Sequence, residues 1–226
     1  MIDDNLKSVR RRIATCCERS ARSQDEVKLI AVTKEASTGQ IEEILSLGVK
    51  DIGENRIQDA AVKYETIGKR AFWHMIGHLQ TNKSKDAVRI FSLIHSVDSV
   101  RLAEAIDKEA SKIGKVQDIL AQVNVSGEAS KFGIKPEDAD GFANSIRALK
   151  NIRFVGLMTI APESDDPESS RPYFKALREL RDRLNTLRAK QDALRVLSMG
   201  MTGDFEVAIE EGATMLRVGR AIFYDK

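Results

Sequence analysis

The chain has 226 residues, of which 42% are hydrophobic and 31% are charged, the balance of an ordinary soluble globular protein. Its net charge is only +2, with 36 basic residues dispersed among 34 acidic ones, which argues against a nucleic-acid-binding surface. No apolar run approaches the roughly 18 residues of a membrane span, and the N-terminus lacks an apolar signal core. We therefore expect a cytoplasmic protein with one domain over residues 1–226, and neither a nucleic acid nor a membrane as partner.

A predicted helix opens the chain, because Leu6, Val9, Ile13 and Cys17 recur at helical spacing and fall on one face. The two cysteines, Cys16 and Cys17, are adjacent on this helix. Neighbouring residues have poor geometry for a mutual disulfide or a shared metal ion. Buried or half-buried free thiols in a reducing compartment are the expected state.

After this helix, short β-branched runs alternate with longer stretches in which apolar residues recur at three and four, a pattern typical of βα units. The predicted strands are 27–33, 49–52, 72–76, 91–96, 119–125, 152–159, 195–197 and 214–218. Eight such strands predict an α/β fold with a single (β/α)8 TIM barrel. The alternative is an open doubly wound sheet, which usually carries a glycine-rich fingerprint after its first strand, and residues 32–35 supply none.

The sixth βα unit has two features of its own. Its long helix is expected to bury Phe174, Leu177, Leu184 and Leu187. Residues 162–170, between the sixth strand and this helix, are acidic and rich in proline and serine. Such a loop at the end of a barrel strand is a candidate flexible lid.

The functional site of a barrel of this kind lies at the carboxyl ends of its strands, so the residues there are the candidates. Lys34 directly follows the apolar run 29–33. Burial at that position would favour the uncharged, nucleophilic amine that forms a Schiff base. A lysine that extends to the solvent at the rim fits the position equally well, so a second signal is needed.

Two glycine-containing loops supply that signal. Residues 198–204 combine hydroxyl groups, two glycines and a following helix, so several backbone N–H groups can converge on one anion. Residues 217–220 form a second glycine turn after the last strand. Either loop alone is an ordinary turn, but barrel enzymes commonly bind a phosphate between the loops that follow strands seven and eight. The pair predicts a phosphorylated ligand.

Arg217 lies on the last strand, two residues before Gly219, where its side chain can face the barrel axis. Arginine keeps its proton, so toward a pyridine nitrogen it acts only as a donor. An amine for an aldehyde, a phosphate site and a donor for a ring nitrogen together predict pyridoxal 5′-phosphate (PLP). A Schiff-base aldolase that uses Lys34 without PLP leaves Arg217 unexplained.

The three histidines, His74, His78 and His95, lack the spacing of a metal site. Hydrogen-bonded structural roles are favoured for them, with His74 as the one expected in the pocket. We predict no metal ion.

Six segments resemble one family of proteins over essentially the whole chain. They are VTK at 32–34, IGENRIQD at 52–59, WHMIGHLQTNK at 73–83, GLMT at 156–159, LSMGMT at 197–202 and LRVG at 216–219. In these motifs the chain resembles the pyridoxal phosphate homeostasis proteins.

The resemblance implies a fold like the N-terminal barrel of alanine racemase and a role in holding PLP, as a Schiff base on Lys34, within the cell. It also implies that Ser198, Thr202 and Gly219 lie near the phosphate. Arg220 stands where many relatives carry a small hydroxyl residue, which leaves open whether its side chain or only its N–H faces the phosphate. The full set of expected cofactor-binding residues is Lys34, Asn55, His74, Ser198, Gly200, Met201, Thr202, Arg217, Gly219 and Arg220.

Two classes of function remain, a PLP-binding regulator or carrier and a PLP-dependent amino-acid racemase. A racemase of the alanine type needs a second domain and an opposing acid/base tyrosine. None of Tyr64, Tyr173 and Tyr224 follows a predicted strand, and the sequence ends shortly after the eighth. An open pocket suits holding and releasing the cofactor better than catalysis. We expect a monomeric, non-enzymatic PLP-binding protein, with PLP-dependent apoenzymes as candidate partners.

Overall fold

A computed structural model describes residues 1–186 and 188–224 of the chain. Within these residues, eight parallel strands follow one another in chain order around a closed barrel, and the last pairs with the first. This confirms the predicted (β/α)8 barrel. The strands are β1 (Lys28–Val32), β2 (Asp51–Glu54), β3 (Phe72–Met75), β4 (Leu93–Val97), β5 (Gln117–Gln122), β6 (Ile152–Met158), β7 (Val196–Ser198) and β8 (Met215–Val218).

Helices surround the barrel, one before the first strand and one after each strand. They are α1 (Ile2–Arg19), α2 (Thr38–Ser46), α3 (Ile57–Ile67), α4 (Ser84–Ile90), α5 (Val100–Lys112), α6 (Ala139–Ser145), α7 (Arg171–Asn185), α8 (Phe205–Glu210) and α9 (Arg220–Phe223). The short α9 was not predicted. None of the helices in the described part of the chain is long and apolar enough to cross a lipid bilayer.

The first helix packs its apolar face onto the barrel and lies beside α8. Cys16 and Cys17 are free and buried, as predicted, and Sγ of Cys16 donates to the carbonyl oxygen of Glu206 on α8 at 3.2 Å. Arg12 of α1 donates two hydrogen bonds to the carboxylate of Glu206 on α8, at 2.7 and 2.9 Å. In α7, Phe174, Leu177 and Leu184 are buried as expected, whereas the predicted Leu187 lies outside the described residues.

Strand β2 lies two residues later than its prediction of 49–52. Val49 is buried in the turn before the strand, and pairing with β3 begins at Asp51, opposite Phe72. The predicted range ended at Ile52, but pairing with β3 continues to Glu54, opposite Met75. Asp51 therefore opens β2 and Glu54 closes it.

The barrel interior is partly apolar and partly polar. Leu93, Leu120 and Met158 are buried there and pack against Val196 and Met215. Polar groups buried in such a place must be hydrogen-bonded to be tolerated. The buried polar side chains of the barrel strands are Glu54, His74, His95, Ser96, Gln117, Gln122, Ser198 and Arg217.

Candidate functional site

The turn after β8 lies directly against the end of β1. A Cβ atom built on Gly219 would lie 3.1 Å from both the Cβ and the carbonyl oxygen of Val32. Glycine therefore permits a close approach of the two backbones that a larger residue would disturb. As a result, Gly219 lies beside the strand end that leads into Lys34.

The loop after β7 joins this turn. The backbone N–H of Arg217 donates to the carbonyl oxygen of Gly200 at 3.0 Å, and the N–H of Ala221 donates to Oγ1 of Thr202 at 3.4 Å. Gly200 has φ +90°, and a Cβ there would lie 2.5 Å from the Cβ of Ala208 on α8. Glycine at 200 thus lets α8 pack against the loop.

Several backbone donors at this junction have no acceptor within the part of the chain that the structure describes. Among the hydrogen bonds of the described residues, none uses the N–H of Thr202, Gly203, Gly219 or Arg220. The N–H of Met201 instead donates to Oδ1 of Asp204 at 2.6 Å. Free N–H groups in two adjacent turns are the kind of donors that proteins use to bind anions.

Arg217 lies in the barrel interior and is 4% exposed. Its Nη1 donates to Oγ of Ser198 at 2.6 Å, and its Nη2 donates to the carbonyl oxygen of Thr159 at 2.8 Å. Burial lowers the pKa of Arg217 to about 10, against an opposing effect of Asp204. The guanidinium stays charged at neutral pH and is held in one orientation by two acceptors.

Lys34 lies at the rim of the barrel, in the turn between β1 and α2. Its side chain is 47% exposed, and its Nζ lies 3.3 Å from Oε1 of Glu35. The expected burial of this amine is therefore wrong, because Thr33 is the last buried residue of the segment. The hydroxyl of Tyr224 donates to Oε2 of Glu35 at 2.7 Å, and this bond, with that from Lys34, lowers the pKa of Glu35.

Next to the segment that carries Lys34, the buried carboxylate of Glu54 connects the end of β1, β2 and α3 through hydrogen bonds. Oε1 of Glu54, whose side chain is fully buried, accepts from Oγ1 of Thr33 at 2.6 Å and from Nζ of Lys63 at 2.8 Å. Lys63, on α3, also donates to the carbonyl oxygen of Thr33 at 2.6 Å. Neither Glu54 nor Lys63 was assigned a role from the sequence. The available signal was an acidic residue in a buried position, which requires a partner.

The histidines His74 and His95 form a buried hydrogen-bonded pair, at 2.9 Å between Nδ1 of His74 and Nε2 of His95. Nε2 of His74 lies 2.9 Å from Oδ1 of Asp51, and Nδ1 of His95 lies 2.9 Å from Oγ of Ser198. The predicted structural role is confirmed by these contacts. Both ring nitrogens of His74 are occupied by protein groups. Its partner Asp51 was not among the predicted residues.

Burial determines the protonation state of the His74 and His95 imidazoles. It lowers the pKa of His74, although Asp51 opposes this effect, and it lowers the pKa of His95 well below the ordinary value. Both rings are therefore neutral at pH 7.

The remaining predicted residues are placed around the mouth of the barrel. Asn55 follows β2 and lines a separate cavity of about 490 Å³ with His78 and Lys83. Met201 is 37% exposed. The side chain of Arg220 is 75% exposed and lies 3.9 Å from Glu163.

The predicted lid segment borders this mouth. Residues 163–169 are exposed, and the segment ends in a 3-10 turn, Pro167–Ser170. Oγ of Ser170 donates to Oδ2 of Asp204 at 3.1 Å, so the segment is anchored to the loop after β7.

Comparison with known proteins places this architecture in a class. The family model of the alanine racemase N-terminal domain matches residues 5–226. An alanine racemase of Clostridium difficile has a similar fold, with a TM-score of 0.76 at 16% identity over 99% of this chain and 57% of its own.

Full-length relatives are more specific. The pyridoxal phosphate homeostasis protein of Aquifex aeolicus is 45% identical over 99% of this chain and 97% of its own, and that of Pseudomonas aeruginosa is 36% identical over 98% and 94%. A protein of unknown function from Bifidobacterium adolescentis has a TM-score of 0.92 at 39% identity, over 98% of this chain and 94% of its own. PipY of Synechococcus elongatus, solved with PLP bound, has a TM-score of 0.86 at 33% identity, over 99% and 100%. The chain belongs to the family of the pyridoxal phosphate homeostasis proteins, as its motifs predicted.

Proposed function

We propose that residues 1–226 form one domain that binds PLP at the mouth of the barrel, holds it and releases it without turning over amino acids. The observation that carries the proposal is the group of free N–H donors of Thr202, Gly203, Gly219 and Arg220 beside the buried cation of Arg217. PipY, which was solved with PLP bound, supports the choice of ligand at 33% identity.

The donors present match the groups of PLP. The free N–H groups of the two turns suit a phosphate dianion, since such charge-assisted bonds contribute about 1.5–3 kcal/mol each. Arg217 supplies a fixed donor for the ring nitrogen. Lys34 supplies the amine that bonds to the aldehyde as a Schiff base, and its exposed position leaves it accessible. When bound, PLP supplies this reactive aldehyde and an electron-withdrawing ring.

The other predicted residues receive supporting roles. Gly200 shapes the loop after β7, Met201 is partly exposed in that loop, and Asn55 follows β2 at the same end of the barrel. We propose that Arg220 contributes its N–H, because its side chain extends into solvent. His74 belongs to the site through His95 and Ser198.

A holding and releasing role suits the open rim better than catalysis does. The Lys34 side chain is nearly half exposed, so water has access to the position of the reactive group. The relatives from Aquifex aeolicus and Pseudomonas aeruginosa are named as homeostasis proteins. We propose that the protein acts as a monomer and that PLP-dependent apoenzymes receive its cofactor.

Absorption spectroscopy with chemical trapping tests this function. The purified protein is titrated with PLP, reduced with borohydride and digested, and the modified peptide is located by mass. We expect the adduct on Lys34, and Lys34→Ala should lose both the adduct and the absorption band. Lys83→Ala is a matched control that should retain both. An adduct of the wild type on Lys83 or Lys131 would contradict the assignment.

A further inference from the structure

A continuous row of hydrogen-bonded side chains runs through the barrel interior, from the amino end of its strands to the site. It starts at Asp51, the first residue of β2, and passes through His74 and His95 to Ser198 and Arg217. Four successive contacts of 2.9, 2.9, 2.9 and 2.6 Å join these five side chains. We call this row the interior relay.

The two ends of the relay differ in hydrogen-bonding capacity. An ionised carboxylate only accepts, whereas a guanidinium only donates. Burial raises the pKa of Asp51, but hydrogen bonds and charges from His74 and Lys28 outweigh it and lower the pKa below its ordinary value. Asp51 is therefore ionised at neutral pH, and Nζ of Lys28 lies 3.1 Å from its Oδ1.

These ends determine the position of every proton between them. Since Asp51 accepts, the Nε2–H of His74 donates to it, which leaves Nδ1 of the neutral ring as an acceptor. The Nε2–H of His95 then donates to that Nδ1, and Nδ1 of His95 accepts the hydroxyl proton of Ser198. The lone pairs of Ser198 remain for the Nη1–H of Arg217.

The opposite order is excluded for neutral rings. If Nδ1–H of His95 donated to Ser198, then Nδ1–H of His74 would have to donate to His95. Nε2 of His74 would then face the carboxylate of Asp51, acceptor against acceptor at 2.9 Å. An unmade hydrogen bond between buried groups costs about 1–3 kcal/mol, which selects the first order.

We propose that Asp51, His74 and His95 are positioning residues. They hold the hydroxyl proton of Ser198 in a hydrogen bond to His95, and so orient the lone pairs of the Ser198 oxygen toward Arg217. They thereby determine how the guanidinium is presented to a ligand in the barrel mouth, and this part rests on the proposed function. One consequence concerns Ser198. Because its single proton is used inside the protein, its hydroxyl contributes to ligand binding through Arg217 and donates nothing to the phosphate.

The proton order is measurable in the protein without cofactor. Nitrogen-15 NMR of ring-labelled histidine distinguishes a protonated ring nitrogen from an unprotonated one, and His74→Gln and His95→Gln assign the signals. We expect both buried rings to carry their proton on Nε2 at pH 7. A proton on Nδ1 of either ring, or a doubly protonated ring, would overturn the relay.

Substitutions of Asp51, at the end of the relay away from the site, test whether the relay affects ligand binding. Asp51→Ala removes the anchoring acceptor, so His74 should populate both tautomers and PLP should bind about tenfold more weakly (~1.4 kcal/mol). Asp51→Asn retains an acceptor oxygen and should remain within about twofold of the wild type. Asp118→Asn is the control. Asp118 is the second residue of β5, at the same end of the barrel as Asp51, and it pairs with Arg153.

The outcomes separate the relay from the proposed function. If Asp51→Ala binds PLP like Asp118→Asn and retains the wild-type tautomers, the relay is overturned. A wild-type protein that fails to bind PLP would contradict the proposed function alone. In that case the tautomers of the cofactor-free protein still decide the relay.

Discussion

The amine of Lys63 on α3 lies 2.6 Å from the carbonyl oxygen of Thr33, the residue directly before Lys34. The same amine pairs with Glu54, whose carboxylate also accepts the hydroxyl proton of Thr33. Three hydrogen bonds thus hold the end of β1 against β2 and α3. The backbone that carries Lys34 is fixed, while its side chain extends to the rim, where it is 47% exposed beside Glu35.

Removal of the Lys63 amine should destabilise the protein. Lys63→Met leaves the fully buried Glu54 without a counter-charge, and loss of one partner of a buried pair costs about 3–5 kcal/mol. Urea unfolding should show a lower midpoint with an unchanged slope. The double variant Lys63→Met/Glu54→Gln should recover part of the loss, because the orphaned charge is gone. A Lys63→Met protein within about 0.5 kcal/mol of the wild type would contradict the role of this pair.

The phosphate should contribute a large share of the affinity for PLP. Pyridoxal lacks the dianion that the free N–H groups of Thr202, Gly203, Gly219 and Arg220 are proposed to bind, at about 1.5–3 kcal/mol for each charge-assisted bond. Titration should therefore show much weaker binding of pyridoxal. Equal affinity for both compounds would place the phosphate elsewhere.

Substitution in the two turns should weaken binding in a defined order. The wild type should bind most tightly, followed by Ser198→Ala, which disturbs Arg217, and then Gly219→Val, whose side chain would press on Val32. Gly141→Val is the matched control, since a Cβ on Gly141 meets no atom within 4 Å. Unaltered binding by Gly219→Val would contradict the proposed phosphate site.

The buried histidines should make the protein less stable as the pH falls. Burial lowers the pKa of His74 and His95 below 6.5, so below that pH the unfolded chain binds protons that the folded protein does not. Their contribution is fully present above about pH 7. It declines as the pH falls through 6.5 toward the folded values, by up to about 1.4 kcal/mol per pH unit for each imidazole.

Urea unfolding between pH 8 and 5 measures this dependence. His74→Gln/His95→Gln should flatten it, whereas His78→Gln, which removes a ring stacked on Phe132 at 3.8 Å, should leave it in place. A free energy of unfolding that stays constant from pH 7 to 5 in the wild type would show that the two rings are not neutral in the folded state.

The protein should not turn over amino acids at an enzyme-like rate. Tyr224 is linked to Lys34 through Glu35 and is itself 44% exposed, so it lacks the fixed position of an acid/base group. Racemisation, decarboxylation and transamination should be assayed with the PLP-loaded protein. A kcat near the enzyme median of roughly 10 per second for any of them would contradict the proposed holding role.

The periodicity of the sequence was sufficient to predict the barrel, because the repeat of apolar side chains in a strand or a helix depends only on residues close together in the sequence. It also placed Lys34 after strand one, Arg217 on strand eight and the glycine turns after strands seven and eight, which are positions where a barrel carries its site. Its errors concerned two charged side chains: Lys34 was expected to be buried but is exposed at the rim, and Glu54 was left outside β2 but is its last residue. Glu54 looks unsuitable for a buried strand until Lys63 is placed beside it.

The tertiary structure alone decided which polar side chains meet. His95 and Ser198 are 103 residues apart, and Arg217 and Thr159 are 58 apart, so no spacing in the sequence relates them. Their contact depends on the register of distant strands and on closure of the barrel, where a shift of one residue would turn each side chain to the opposite face. A sequence pattern indicates on which face of a strand or helix a side chain lies. Its partner is determined only when the strands from other parts of the chain are in place.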